Sequence, residues 1–336
     1  MRILLLLMLV SFFDSSWSFL FSSLLADNTH HHYKLKSRLQ ATKTDIIKRI
    51  EKRTDKVLVT FDLDDTLFPI NPVVQDSNDA LMKYLREELN CSNVTEESFL
   101  SSMKDIRNRS KKNGEGPMTY TELRCRAIAH EMGKNYSHKN DDDDIETSVL
   151  KAYEVWEKER NASAERHLYK TTIPVLKCLK QRNFLIGAIT NGKGNPFCME
   201  HTLKPFFDFC VSGEDSNVFP KRKPDPGIYE IALQPYHDTI VCWFHVGDDL
   251  ANDVGASAAC GAKAIWAKLK DDPYKQTARK RTDDTTVQGQ PAWSTLSSSE
   301  LQMRKEKNDA ARNSISAEID CLLDLPDTID RLLQNK

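Results

Sequence analysis

Two carboxylates two residues apart, Asp62 and Asp64, follow directly on the apolar run Val57-Leu58-Val59-Thr60-Phe61. Such a run reads as a buried parallel strand, and parallel strands present their reactive groups beyond their C-terminal ends. From there one carboxylate can attack phosphorus to give an acyl phosphate. A second, protonatable one can serve the departing oxygen and then the water. Like charges this close repel each other and a dianionic substrate, so the pair needs a cation. A second apolar run that ends in acids can hold one: Phe244-His245-Val246-Gly247-Asp248-Asp249-Leu250-Ala251-Asn252-Asp253. Oxygen-only ligands of this kind suit Mg²⁺.

Two further strand ends complete the set. Ala188-Ile189-Thr190-Asn191-Gly192 offers a hydroxyl, an amide and a permissive glycine, which makes Thr190 and Asn191 candidate binders of a phosphoryl oxygen. Lys221-Arg222-Lys223-Pro224-Asp225-Pro226 places a cation, Lys223, just before a predicted helix, where it can neutralise charge on the nucleophile and the phosphoryl group. Each motif alone reads equally as a turn or a cap. Four in succession, each at a strand end, point to one site.

In order and spacing these motifs resemble those of the haloacid dehalogenase-like phosphatases, over nearly all of residues 55–269 plus the C-terminal segment. The resemblance implies Asp62 as nucleophile, Asp64 as acid/base, Thr190 as phosphoryl binder and Lys223 as charge neutraliser. It implies Asp62, Asp64 and Asp248 as the metal set, with Asp249 and Asp253 supporting, one of them holding a metal-bound water or Lys223. Dehalogenases of the superfamily, which need no metal, lack an acid at the position of Asp64. Its presence favours phosphoryl transfer. Asn71-Pro72-Val73-Val74, Ile189-Thr190-Asn191-Gly192 and His245-Val246-Gly247-Asp248-Asp249-Leu250 are also similar to bacterial flavin mononucleotide and ribitylaminopyrimidine phosphate phosphatases. That implies a flavin-related small-molecule phosphate monoester as substrate, with a sugar or nucleotide phosphatase, a phosphomutase, or a non-catalytic scaffold as alternatives.

These residues need a frame. Strand-like runs at 184–189, 207–211, 239–246 and 263–266 alternate with predicted helices at 174–181, after Asn195, at 225–233 and at 250–260. That rhythm predicts an α/β fold, a doubly wound, three-layer parallel sheet core. Between 76 and 165 only helical spacing is seen, so an all-helical cap domain is inserted after the first strand. The expected organisation is a presequence over 1–44, core over 45–75, cap over 76–165, core over 166–269, a polar insertion or disordered loop over 270–313, and a closing core segment over 314–336. Within the cap, Tyr153 and Trp156 are read as core, Arg124 and Arg126 as solvated helix charges, and Asp141 to Asp144 as a solvated loop.

The 336 residues are 40% hydrophobic with a formal net charge of -2, enough for a core and a smaller domain. No basic stripe is present for a nucleic-acid polymer. The oligomeric state is left open. Eight cysteines include no metal-ligand spacing and are read as free thiols. Residues 1–18 have the features of a signal peptide, with Ser16-Trp17-Ser18 before Phe19, and the basic, acid-poor stretch to Lys43 is transit-like. Together they resemble the two-part presequence of secondary plastids in diatoms and related algae, and imply a plastid protein with no membrane segment once processed. His30-His31-His32 falls in the part removed. Sequons at Asn90, Asn93, Asn108, Asn135 and Asn161 fit the alternative, the secretory route. Fused to a fluorescent reporter in a diatom, residues 1–44 are expected to carry it into the plastid. A reporter that is exported or held in the endoplasmic reticulum contradicts this.

Overall fold

Six short strands, all parallel, lie side by side in the order β3-β2-β1-β4-β5-β6. They are β1 (Lys56–Phe61), β2 (Leu185–Thr190), β3 (Phe209–Ser212), β4 (Ile240–Gly247), β5 (Lys263–Ala267) and β6 (Ala317–Ile319). The computed structural model describes residues 56–134, 142–269 and 298–334; the presequence and residues 270–297 lie outside them. Runs this apolar must be covered on both faces. On one face Val59, Phe61, Ile186 and Val246 join Leu176 and Leu179 of α5 (Thr172–Gln181) and Ile329 of α8 (Leu325–Gln334). On the other, Leu58, Ile189 and Trp243 meet Ile228 and Tyr229 of α6 (Pro226–Leu233). The result is the doubly wound three-layer core, and its parallel register brings the ends of β1, β2 and β4 to one rim.

Four helices follow β1: α1 (Ile70–Glu87), α2 (Glu96–Lys112), α3 (Tyr120–Gly133) and α4 (Asp142–Arg166). They close around a core of their own that includes Leu81, Leu85, Phe99, Leu123, Ile128, Tyr153 and Trp156. Burying that apolar face stabilises helices whose propensity alone is marginal. Thr95 and Ser98 form a capping box at the start of α2, and Thr119 accepts a hydrogen bond from Glu122 N at 2.9 Å to start α3. The core reaches this helical unit through Glu214, in the loop after β3. Its carboxylate accepts hydrogen bonds from Tyr120 N, Thr121 N and the Thr121 hydroxyl, an anion seated at a helix N-terminus.

Several expectations need correction. No helix follows Asn195 beyond the single turn Pro196–Cys198. Glu165 of α4 accepts from His201 N and the Thr202 hydroxyl instead, and Met199 and Leu203 drop into the core. The helix over 250–260 opens as a wide π-type turn, Leu250–Gly255, before the α turn Ala256–Ala259. The acids at 142–144 form the first turn of α4 rather than a loop, a position where negative charge is favourable.

The stretch read as a polar loop contains α7 (Ser298–Ala311). Three of its polar side chains bond to the rest of the fold. Asn308 Oδ1 accepts from Ala251 N at 3.0 Å, Arg304 pairs with Asp249, and Glu300 pairs with Arg107 and Lys111 of α2 at 3.3 and 2.8 Å. Helix α1 runs across position 76, where the cap is expected to begin: Val73 packs in the cluster of the sheet and Leu81 in that of the helical unit. All eight cysteines are free thiols. Asn161 is buried with both ends of its amide hydrogen bonded, which disqualifies it as a glycan acceptor in the folded chain. Among the described residues no helix is long and apolar enough to cross a membrane.

Glu131, 2% exposed within the helical unit, accepts hydrogen bonds from Ser102, from Ser98 at 3.1 Å and from Lys134 at 2.6 Å. Burial pushes its carboxyl up, but these donors outweigh it and hold the group below its ordinary range. A lowered folded-state pKa contributes stability above the unfolded value, roughly 4.3, and that stability is lost as pH falls through the folded value. Glu131→Gln is therefore expected to cost about 1–3 kcal/mol at pH 7. Its deficit in melting temperature against the parent should shrink below pH 4; a deficit that persists at pH 3 contradicts this assignment.

Candidate active site

Lys223 organises the rim. It lies just ahead of α6, whose first turn is capped by Asp225, with Asp225 Oδ1 accepting from Gly227 N at 2.7 Å. Lys223 is 4% exposed, and its ammonium donates to Asp62 Oδ1 at 2.7 Å, Asp253 Oδ1 at 2.7 Å and Ile189 O at 2.9 Å. All three of its hydrogens are thereby committed within the protein. Burial works against its charge, yet the two carboxylates outweigh burial and keep it firmly protonated. Burial also pushes Asp62 up, to about 8, with Lys223 opposing and the Asp253 and Asp64 carboxylates reinforcing. Asp253 goes the other way: burial raises it, but Lys223 and His245 hold it well below the usual carboxylate range.

Asp62 stands at the end of β1, where its backbone N–H donates to Val246 O at 2.9 Å. The chain then turns sharply through Asp65, whose φ of 59° is a left-handed conformation that aspartate tolerates. Asp65 Oδ1 accepts from Ile70 N at 3.2 Å, so this acid does serve as a helix cap, while Asp64 is left facing the cleft. There Asp64 meets Arg160 of α4: Nη2 donates to Oδ1 at 2.7 Å and to Oδ2 at 3.0 Å. Thr190 ends β2, buried, with its hydroxyl accepting from Gly192 N at 3.2 Å. Asn191 spends its side-chain donor on Lys223 O at 2.8 Å, so its amide braces the lysine loop.

After β4, oxygens of Asp62, Asp248 and Asp253 lie within 4.8 Å of one another. Gly247 makes this possible, because a Cβ there would sit 2.3 Å from Asp253 Cγ. Asp249 caps the π-type turn through Asn252 N at 2.8 Å and pairs with Arg304. His245, buried, with burial lowering its pKa against the opposing pull of Asp253, links Thr60 at 2.8 Å to Asp253, with Nε2 3.5 Å from Oδ1. Three carboxylates, two of them paired with one buried ammonium, form a hard-oxygen set that fits a divalent cation such as magnesium. Of the three acids expected to bind metal, Asp62 and Asp248 are in this group. The Asp64 carboxylate is turned to Arg160, and Asp253 takes the third place; it is also the acid that holds Lys223.

The rim thus brings Asp62, Asp64, Thr190, Asn191, Lys223, Asp248, Asp249 and Asp253 together. Sequence reasoning missed Arg160, 2% exposed, although it continues the helical spacing of Val149, Tyr153 and Trp156 along the buried face of α4. Arg124 is corrected: it is half-buried, its guanidinium 3.5 Å over the Trp156 ring, and burial lowers its pKa to about 10. Arg126 is the solvated charge expected, paired with Glu115 and Glu122. Tyr153 and Trp156 stack at 6.1 Å inside the helical core, as read from their spacing.

Comparisons with known proteins bear on the family and the fold. The chain matches the sequence model of a family described as haloacid dehalogenase-like hydrolase over residues 57–261. It is 23% identical over 222 residues, 65% of this chain and 86% of the relative, to the 5-amino-6-(5-phospho-D-ribitylamino)uracil phosphatase YigB of Escherichia coli strain K12. In fold it is similar to the 2-haloacid dehalogenase of Pseudomonas syringae pv. Tomato DC3000, with a TM-score of 0.58 and 22% identity over 83% of this chain and all of that one. The buried Lys223–Asp253 contact gives a stability test. Asp253→Ala is expected to cost about 3–5 kcal/mol in chemical denaturation, and a loss below 1 kcal/mol contradicts the assignment.

Proposed function

The chain belongs to the haloacid dehalogenase-like hydrolases, and from that membership we propose that it is a magnesium-dependent phosphatase of small-molecule phosphate monoesters, working through an aspartyl phosphate at Asp62. The observation that carries this reading is Asp64: a second carboxylate at the rim that holds Asp62, Thr190 and Lys223 is what a leaving alkoxide and an attacking water both require.

In this reading an Asp62 oxygen attacks phosphorus and the bond to the leaving oxygen breaks, that oxygen taking a proton from Asp64. Asp64 then accepts a proton from water as the water oxygen attacks the phosphorus of the acyl phosphate, which releases inorganic phosphate and restores Asp62. Thr190 donates its hydroxyl to a phosphoryl oxygen. Lys223 fixes the Asp62 carboxylate in place and offsets its charge, and Asp253 and the Asn191 amide hold the lysine. Asp62, Asp248 and Asp253 would hold a magnesium ion, which would supply the positive charge that lets a dianion approach these carboxylates. The helical unit, seated on the core by Glu214, covers the rim and limits the substrate to a small molecule.

The YigB relative, named for a phosphorylated ribitylaminouracil, supports flavin mononucleotide or a riboflavin-pathway phosphate as first candidate. Sugar and nucleotide phosphates come next. A screen of metabolite phosphates with magnesium is expected to rank the flavin-related esters first. Asp62→Asn should lower turnover by at least about a thousandfold, as loss of a nucleophile does. Equal turnover by Asp62→Asn contradicts the mechanism; no preference for flavin-related esters removes the substrate assignment alone.

A further inference from the structure

We propose that Arg160, carried by the helical unit, is a substrate-binding residue that grips the phosphoryl group itself and exchanges Asp64 for it when substrate arrives. This rests on the phosphatase reading above and adds a binding residue to it. The guanidinium is buried, yet it is only partly used. Nη2 holds both oxygens of Asp64, while Nη1, shut off from solvent, has no hydrogen-bond partner. A buried donor left unpaired is costly. Its retention points to an acceptor that comes and goes.

The surroundings identify that acceptor as an anion at the phosphoryl site. Nη1 and Nη2 lie against the loop after β2, so close that a Cβ on Gly194 would be 2.8 Å from Nη1. In front of Gly192, the point a Cβ would occupy is 3.1 Å from Asp64 Oδ2, 3.5 Å from Arg160 Nη2 and 3.9 Å from Thr190 Oγ1. The acid/base, the phosphoryl-binding hydroxyl and the guanidinium therefore converge on one small space that only glycine leaves open. Charge points the same way. Asp62 and Asp253 hold the ammonium of Lys223, with Asp248 close to both, and its hydrogens are all committed, so it has none to offer a phosphoryl oxygen. Arg160 is the cation beside Thr190 that still has a donor to give, and a planar fork suits a tetrahedral oxyanion. Because Arg160 rides on α4, its grip also couples docking of the helical unit to the presence of a phosphoryl group.

The test uses the full chain with magnesium, p-nitrophenyl phosphate as substrate and inorganic phosphate as competitive inhibitor. Arg160→Gln is expected to raise both KM and the phosphate Ki roughly ten- to a hundredfold, the loss of a charge-assisted contact. Arg160→Lys should recover part of that loss, and added guanidinium ion should partly rescue the glutamine variant. Gly194→Ala, which displaces the guanidinium without removing it, should also raise Ki, and stands in if Arg160→Gln does not fold. Active variants with lowered melting temperatures but unchanged Ki show a merely structural arginine and overturn this proposal while the phosphatase reading stands. A parent protein that neither hydrolyses the ester nor binds phosphate overturns both.

Discussion

One ammonium group buried between two carboxylates sets the terms for the whole rim. Taking Lys223, Asp62 and Asp253 out of water is expensive, and the arrangement survives because every hydrogen of the ammonium has an acceptor. Much of the nearby sequence serves that contact. Gly247 leaves space for Asp253, His245 stands behind it, and Asn191 fastens the lysine loop to the end of β2. The parallel sheet is what allows three separate loops to meet there. Had β4 paired antiparallel to β1, Asp62 and Asp248 would lie at opposite ends of the sheet.

The ties between the helical unit and the core include three of different chemistry. Glu214 seats the N-terminus of α3, Arg160 of α4 reaches Asp64, and α7 runs from the acidic loop after β4 to the cations of α2. These ties are polar or ionic, and apolar packing adds to them: Val73 of α1 and Ala164 of α4 are buried in the hydrophobic cluster of the sheet, while the rest of the helical unit has a cluster of its own.

The sequence was most legible where chemistry and backbone pattern coincide. Strand-like runs that end in Asp62, Thr190 and Asp248 announced both the sheet and the site, because a buried parallel strand leaves an uninterrupted apolar signature. Lys223 was legible from its place before a proline-led helix, and Tyr153 and Trp156 from helical spacing. Less legible were residues whose role depends on a distant partner. Arg160 sits on an otherwise apolar face, and nothing local indicates that Asp64, 96 residues away, is what it meets. Arg124 looked solvated because charge is normally exposed, and only the fold sets Trp156 beneath it. Helix α7 was hidden by its composition, since it docks through Arg304, Asn308 and Glu300 rather than through an apolar stripe.

The claim on which the functional account stands is a covalent bond between Asp62 and phosphorus. Rapid quenching of the magnesium-loaded protein during turnover, reduction with borohydride and peptide mass spectrometry detect it directly, because the acyl phosphate alone is reduced, to homoserine. The account predicts homoserine at position 62 that depends on substrate. Steady turnover with position 62 unmodified, or reduction at a different aspartate, contradicts it.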